Sequence, residues 1–439
     1  MMAKKSMLER VINSDFGAKL GIPQGTKLRR YTPGEPFLDG PVVVGGGDLA
    51  DDIRSLLQVD YQLLDAEADS KRAAIVFDAT GITRPEQLHE LYDFFHPQMR
   101  KLGASGRVVV IGNNPDDLEG DARIVARSLE GFSRSISKEL RKGATGQLVY
   151  VEPGAPITAL ESTLRFLLSG KSAFVSGQVI RVSATENENV DWERPLAGQL
   201  AVVTGAARGI GATIAEVLGR DGADVICIDI PPAGEALAEV ANKVKGTALP
   251  LDVTANNAAA AITEHAQQRY GKAVDIIVHN AGVTRDKLLA NMNEGQWQMV
   301  QNINLVAPVR ITEQMLDNGG LAADANIVGI SSMAGISGNR GQTNYATTKA
   351  GMIGLVDALA EKMAAAGGTV NAVAPGFIET AMTAAMPTGP REIGRRISSL
   401  NQGGLPVDVA ETVAFFASSG SRAVNGNTVR VCGQNMMGA

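Results

Sequence analysis

The sequence predicts an α/β protein built as two doubly wound parallel-sheet domains, and three observations carry that expectation. Short apolar runs that do not alternate with polar residues recur along the chain, as strands buried on both faces require. Patterns of helical period lie between nearly all of these runs, the alternation that a parallel sheet with helix crossovers produces. A polar, acidic run, Ser183-Ala184-Thr185-Glu186-Asn187-Glu188-Asn189, interrupts the alternation. It reads as a linker over residues 186–195, with Trp192 and Pro195 pinning its far end. The expected domains are residues 1–185 and 196–439, both of ordinary domain size.

In the first half the strand candidates are Val42–Val44, Gln62–Leu64, Ala73–Phe77, Arg107–Ile111, Gln147–Val151 and Val179–Val182. Helical patterns Pro85–Leu102 and Ala122–Leu140 separate some of them. In the second half the strands are Leu200–Thr204, Val225–Ile230, Thr247–Leu251, Asp275–His279, Asn326–Ser331, Thr369–Ala374 and Thr428–Val431.

Composition removes several function classes. A net charge of -6 is not the basic surface that binding a nucleic-acid backbone needs. Two cysteines, Cys227 and Cys432, build neither a disulfide framework nor a four-thiolate site, and Cys227 lies in a strand-like apolar run. His89, His96, His265 and His279 have no zinc-ligand spacing and no G-x-S-x-G elbow occurs, so no metal is expected. No run approaches the ~20 apolar residues of a membrane span, and the charged N-terminus has no apolar stretch behind it. A cytoplasmic protein is expected.

Chemistry concentrates in the second half. After its first strand the chain reads Thr204-Gly205-Ala206-Ala207-Arg208-Gly209-Ile210-Gly211, with glycines spaced G-x-x-x-G-x-G and a helix following. Such a turn brings backbone close to a pyrophosphate and offers it a helix N-terminus. Asp229 closes the second strand, 18 residues beyond Gly211. A carboxylate there takes the adenosine ribose hydroxyls and repels a 2′-phosphate, which favours NADH over NADPH; Arg208 in the turn is the counterweight.

Tyr345 and Lys349 stand four apart in Asn344-Tyr345-Ala346-Thr347-Thr348-Lys349, so on a helix they share one face. An ammonium near a phenol favours the phenolate and is expected to lower the tyrosine pKa. Ser332 lies thirteen residues upstream, just past a strand, where its hydroxyl can bond a reacting carbonyl.

These motifs together resemble the short-chain dehydrogenase/reductase family over essentially the whole second half. Asp252-Val253 after the third strand, Asn280-Ala281-Gly282 after the fourth, Asn304, and Pro375-Gly376 after the sixth match as well. The resemblance implies a Rossmann-like sheet, hydride transfer from a nicotinamide, and roles for matching residues. Tyr345 is the proton donor, Ser332 orients and polarises the carbonyl, and Lys349 binds the nicotinamide ribose. Asn304 holds a relay water, Asp252 and Val253 contact adenine, and Asn280 supports the sheet and cofactor pocket. Gly205, Arg208, Gly209, Ile210, Gly211, Asp229, Ala281, Gly282, Pro375, Gly376, Ile378 and Thr380 complete the cofactor set.

Within the family, the string from Ser332 to Tyr345 and the endings Pro375-Gly376-Phe377-Ile378-Glu379-Thr380 and Gly426-Asn427-Thr428-Val429 are similar to β-ketoacyl-acyl-carrier-protein reductases. The extra N-terminal half resembles their high-molecular-weight, actinobacterial branch, described as NADH-dependent. A 3-oxoacyl thioester on acyl carrier protein or CoA is the implied substrate, and a homodimer or homotetramer the implied assembly. The resemblance also places a mobile substrate lid over Phe377–Gly403. Arg391, Arg395 and Arg396 on it are a docking candidate for an acidic carrier or a CoA phosphate, with a solvated helix face as the plainer reading. Alternatives are a dehydrogenase of another hydroxyacyl-CoA or secondary alcohol, and a NAD-binding regulatory or scaffold protein.

The first half reads as a worn copy of the second. Val151-Glu152-Pro153-Gly154 mirrors Val373-Ala374-Pro375-Gly376, and Ala126-Arg127-Ser128-Leu129-Glu130-Gly131 lines up with Lys349–Gly354. In that register Ala122 faces Tyr345 and Ala126 faces Lys349, so a degenerate, flavodoxin-like domain without catalytic residues is expected. Gly45-Gly46-Gly47 lacks the full glycine spacing but is a candidate for anion binding at a helix start.

Overall fold

The computed structural model describes residues 24–435 without a break, together with Ser14, Lys19 and Ile22. The rest of the N-terminal stretch, expected to carry no secretory signal, lies outside the described residues. Contacts divide the chain into two compact units that are not contiguous in sequence. The first holds the residues up to Glu186, Phe377–Gly404 and the stretch from Val431; the second holds Asn187–Gly376 and Leu405–Arg430.

The first unit is built on five parallel strands, β1 (Val42–Gly46), β2 (Arg72–Asp78), β3 (Leu102–Asn113), β4 (Thr145–Val151) and β5 (Gln178–Val182), side by side in chain order. β2 and β4 are buried along their whole length, as apolar runs covered on both faces should be. The candidate strand Gln62–Leu64 joins only as a bridge: Leu63 pairs with Val42, and the Val42 N–H donates to the Gln62 carbonyl at 2.8 Å. With that edge counted, the second segment lies outside the first and the chain then runs the other way, the flavodoxin-like order extended by one strand.

The helical pattern expected over Pro85–Leu102 is split into a 3₁₀ turn Pro85–Leu88, a helix His89–Gln98 and a second turn Met99–Lys101. Pro97 lacks the N–H that would carry the helix on, and Leu102 is already extended. Helix Gly120–Glu139 covers the other expected span.

The second unit has seven strands: β6 (Leu200–Thr204), β7 (Asp224–Asp229), β8 (Thr247–Pro250), β9 (Val274–His279), β10 (Leu321–Ile330), β11 (Thr369–Pro375) and β12 (Thr428–Val431). Their order is β12-β11-β10-β9-β6-β7-β8, so winding reverses between β6 and β9. Ligands of doubly wound sheets bind outside the carboxyl ends of the strands at that reversal. Val202, Ile226, Ile262, Ile277, Ile327 and Val356 pack the core between sheet and helices. The fully buried His279 ring pairs with the Thr312 hydroxyl at 2.8 Å.

Much of the polar run expected as a linker is docked within this second unit. The Asn187 side chain accepts from the Ala423 N–H at 2.9 Å, and Trp192 lies against Gly420, where a Cβ would stand 3.0 Å away. No helix among the described residues is long and apolar enough to cross a membrane.

Candidate active site

The ends of strands β6 to β11 and the helices Gly209–Arg220 and Thr343–Ala365 of the second unit assemble the site. The turn after β6 needs its glycines. Gly205 and Gly209 have φ of +69° and +61°, and a Cβ on Gly211 would stand 2.0 Å from the Gly205 carbonyl oxygen. Helix Gly209–Arg220 starts at the turn, with Ile210 half-buried in its first turn and Arg208 exposed before it. Across the reversal, Asn280 donates to the Thr204 and Gly205 carbonyls at 2.9 and 3.1 Å. Thr204 Oγ1 accepts from the Asn280 and Ala281 N–H groups, at 3.0 Å each. The turn is thereby clamped to the end of β9.

Asp229 ends β7 half-buried, with its carboxylate accepting from the Ala207 N–H at 3.0 Å and the Ile230 N–H at 2.8 Å. Asp252 is exposed after β8 and accepts from the Thr254 N–H and hydroxyl at 2.9 and 2.7 Å; Val253 beside it is buried. Positive-φ glycines, a helix N-terminus that donates and a carboxylate at the next strand end that accepts are the groups an adenine dinucleotide needs. These residues fit it.

At the other side of the reversal, Lys349 lies on helix Thr343–Ala365 and is 3% exposed. Its Nζ donates to the Ile330 carbonyl at 2.7 Å and stands 5.6 Å from the centroid of the Tyr345 ring. Burial pushes its pKa down to about 8. Ser331 Oγ donates to the Lys349 carbonyl at 2.7 Å, tying strand to helix where the two catalytic candidates meet. Ser332, the next residue, caps the short helix Met333–Ser337 through Ala334 N–H at 3.2 Å and is hydrogen-bonded to the Tyr345 side chain.

Burial raises the Tyr345 pKa above its ordinary range; the Ser332 hydrogen bond pulls it down and the Asp286 charge pushes it further up. The lowering expected from Lys349 is therefore not the outcome. Dehydration sets the direction, and the ammonium is hydrogen-bonded to the Ile330 carbonyl.

Asn304 lies in a π-helical turn, Asn302–Val306, and is 1% exposed. Its amide accepts from the Val283 N–H at 2.8 Å, donates to the Val283 carbonyl at 3.0 Å and reaches Thr348 Oγ1 at 3.3 Å. Gly282 leaves a gap beside it: a Cβ there would stand 3.3 Å from Asn304 Oδ1 and 3.5 Å from Lys349 Nζ. Pro375 closes β11, whose Val373 pairs with Ile330, and Gly376 follows it. Ile378 and Thr380 fall in the first unit; Ile378 is buried and bridges to Gly404, and Thr380 caps helix Ala381–Ala384.

The structure also engages residues that the motifs did not single out. Asn344 Nδ2 donates to the Gln296 carbonyl at 3.2 Å and the Arg285 carbonyl at 3.4 Å, and Gln342 donates to Asp286 at 2.8 Å. They hold the loop after β9 against the start of the Tyr345 helix. Adjacency of Asn344 to Tyr345 was the available signal; its partners are some fifty residues away and sequence does not announce them. Thr204, the last strand residue before the glycines, was legible in the same way.

In the first unit the corresponding turn is filled. Gly46, with φ +108°, pairs across the ladder with Asp78, and Gly205 likewise lies against Asn280. Asp78 is 1% exposed; its carboxylate accepts from the Leu49 N–H at 2.9 Å and from the Thr80 N–H and hydroxyl at 2.9 and 2.7 Å. The anion at this helix start is the chain's own side chain, which corrects Gly45–Gly47 as a candidate site for an anion from solution. Ala122 and Ala126 lie on helix Gly120–Glu139, and the Ala126 carbonyl accepts from the Tyr150 hydroxyl at 2.7 Å.

The arginine docking candidate changes too. Arg395 forks onto Glu379 and Glu392 and Arg396 pairs with Glu392, so two of the three guanidinium groups are spent on internal carboxylates. The side chain of Met382, a candidate for an acyl tunnel with Phe377 and Met386, lies outside the described residues. Among the described residues no group of three or more His, Cys, Asp or Glu is placed to hold a metal.

Residues 205–433 match the family model described as Enoyl-(Acyl carrier protein) reductase. The chain is 44% identical over 241 residues to the 3-oxoacyl-[acyl-carrier-protein] reductase FabG of Pseudomonas aeruginosa, covering 54% of this chain and 97% of that protein. It is 39% identical to the FabG of Thermotoga maritima, again over 54% of this chain and 98% of the relative. A solved structure of the angucycline C-6 ketoreductase LanV with bound NADP superposes with a TM-score of 0.51 at 27% identity, covering 55% of this chain and 96% of LanV.

Proposed function

The chain belongs to the short-chain dehydrogenase/reductase family, and from that premise we propose that it is an NADH-dependent reductase of 3-oxoacyl thioesters carried on acyl carrier protein or CoA. The observation that carries the reading is the Tyr345 phenol, bonded to Ser332 and backed by the Lys349 ammonium, at the carboxyl edge of β10. The FabG relatives supply the substrate class, since their names state reduction of 3-oxoacyl-acyl carrier protein.

Bound NADH supplies the hydride that reaches the 3-oxo carbon. Ser332 Oγ holds the carbonyl oxygen, and Tyr345 Oη gives it the proton, leaving the 3-hydroxyacyl thioester and a phenolate. A phenol whose pKa is raised is fully protonated at neutral pH, which suits a proton donor. Lys349 stabilises the phenolate and, buried near its own titration point, passes a proton back. Asn304, beside Lys349 across the Gly282 gap, supports the solvent path for that return. No group here is asked to do more than orient, polarise and move one proton.

For the cofactor, Asp229 stands where a 2′-phosphate would meet a carboxylate, and Arg208 is exposed, with the Asp229 carboxylate on the Ala207 N–H next to it. This supports NADH, against the NADP held by LanV. A homodimer or homotetramer is part of the proposal.

The test is oxidation of NADH and NADPH with acetoacetyl-CoA, run beside Tyr345→Phe. Turnover by the wild type with NADH and its loss in the variant is the expected result. No turnover with either cofactor overturns the thioester reading, and a clear NADPH preference overturns the weight given to Asp229.

A further inference from the structure

Arg310 belongs to no motif of the second half, yet its guanidinium grips the turn that follows β8. It lies on helix Ala307–Asp317, 54 to 57 residues along the chain from the groups it holds. Nη2 donates to the Val253 carbonyl at 3.2 Å and to the Ala255 carbonyl at 2.9 Å, and Nη1 donates to Asn256 Oδ1 at 3.3 Å. Its Nε is buried with no partner among the described residues, so the grip is made by the fork end alone.

The turn needs a hold of this kind. β8 is the outermost strand of the sheet on its side and has a neighbour, β7, along one edge. The turn is closed on itself, with Asp252 accepting from Thr254 and the Ala255 N–H donating to the Asp252 carbonyl at 3.0 Å. Just before it, the Leu251 N–H donates to the Asp229 carbonyl at 2.8 Å. Arg310 fastens the turn from the other side, where buried Val253 shares a core with Ala307 and Ile311 of the same helix. The π-helical turn that carries Asn304 runs directly into that helix. One continuous helical stretch therefore sets Asn304 across the Gly282 gap from Lys349, and Arg310 on the turn after β8.

We propose that Arg310 is a positioning residue for the adenine end of the dinucleotide, fixing Asp252 and Val253 by bridging two carbonyls and a side-chain amide of their turn. A turn on an edge strand that cofactor must order loses conformational freedom at each binding event, and that loss weakens affinity. Held beforehand, it loses less. A guanidinium suits the task because its planar fork reaches several acceptors at once, which the point charge of an ammonium does not. The role rests on the reading of this sheet edge as a dinucleotide site, whichever carbonyl the enzyme reduces.

The test uses the full-length protein, with Arg310→Met to remove the donors and Arg310→Lys to keep the charge without the fork. Hydrogen exchange of the 253–256 amides should quicken by on the order of ten-fold, with β6 and β9 unchanged. In calorimetric titration the Kd for ADP-ribose should rise about ten-fold in Arg310→Met, and Arg310→Lys should also bind more weakly than wild type. The KM for NADH should rise alongside, with kcat and the KM for acetoacetyl-CoA within about two-fold. Unaltered ADP-ribose affinity in Arg310→Met overturns the proposal, and so does wild-type affinity in Arg310→Lys, which would assign the effect to charge. Faster exchange spread through β6 and β9 with a fall in kcat overturns it as well, since the residue would then hold the whole unit. Should Arg310→Met not fold, Arg310→Lys carries the same readouts. A wild type that binds ADP-ribose but reduces no 3-oxoacyl thioester ends the function reading, while the titration still decides the role of Arg310. A wild type that binds no ADP-ribose overturns this role together with the cofactor reading.

Discussion

Lys349 Nζ donates to the Ile330 carbonyl at 2.7 Å and stands 5.6 Å from the centre of the Tyr345 ring. The bond fixes the ammonium at the base of the site, on the strand that leads to Ser332. A positive charge held there is worth most when a negative one appears on the phenol, because Lys349 is buried and water screens it poorly.

Tyr345→Phe removes the proposed proton donor and keeps the ring. Reduction should fall by roughly 10²–10⁴-fold, the usual worth of a positioned acid. Fluorescence titration should give a Kd for NADH within a few-fold of wild type; a large loss of cofactor affinity would mean that the hydroxyl binds rather than reacts.

The pH profile follows from Lys349, whose pKa burial lowers to about 8. In the proposed mechanism reduction needs the ammonium, so kcat/KM should be flat through neutrality and fall as pH rises through about 8. In Lys349→Arg, whose guanidinium does not titrate in this range, that fall should move to higher pH even if the rate is lower. A limb that stays in place assigns the titration to another group.

The same burial has a stability consequence. A lysine whose folded pKa lies below its unfolded value is protonated more readily in the unfolded chain, so its charge opposes folding below about pH 8. Lys349→Met should therefore be inactive and yet more stable at pH 7, by about 1–3 kcal/mol after the lost Ile330 bond is offset. Urea denaturation with equal m values would check it.

His279 gives the acid limb. Burial lowers its pKa to about 4, so the unfolded chain takes up a proton that the folded chain refuses. Its contribution is present above the unfolded pKa of about 6.5 and is lost as pH falls from there to about 4. In His279→Gln, the dependence of unfolding free energy on pH in that window should lessen by about one proton; an unchanged slope would sink the assignment.

Asp78→Ala should destabilise the first unit by about 1–3 kcal/mol, because the part-buried Leu49 and Thr80 donors lose their acceptor. Calorimetric titration of the wild type with NADH should give one site per chain, at the second-unit turn. A second site of similar affinity would show that the Asp78 carboxylate yields to a phosphate.

Legibility differed between the halves for a physical reason. β6 was readable to the residue because a strand buried on both faces must be apolar throughout and the glycine turn stops it. Gln62–Leu64 was readable as a strand but pairs only at Leu63, since an edge has a partner on one side and little to enforce its length. The Tyr345–Lys349 pair proposed as catalytic was legible because that chemistry demands particular side chains at helical spacing. The direction of the Tyr345 shift was not, because burial decided it.

By itself, then, the sequence determined the element types, the glycine turn, the acid of β7 and the Tyr345–Lys349 pair, all set by local spacing and by side-chain chemistry. Only the tertiary structure decided that Asp78 occupies the N-terminal turn, that Arg395 and Arg396 are paired, and that Phe377–Gly404 folds with the first unit. Each of these joins residues far apart in the chain through burial and hydrogen bonding, and neither leaves a period or a motif in the sequence.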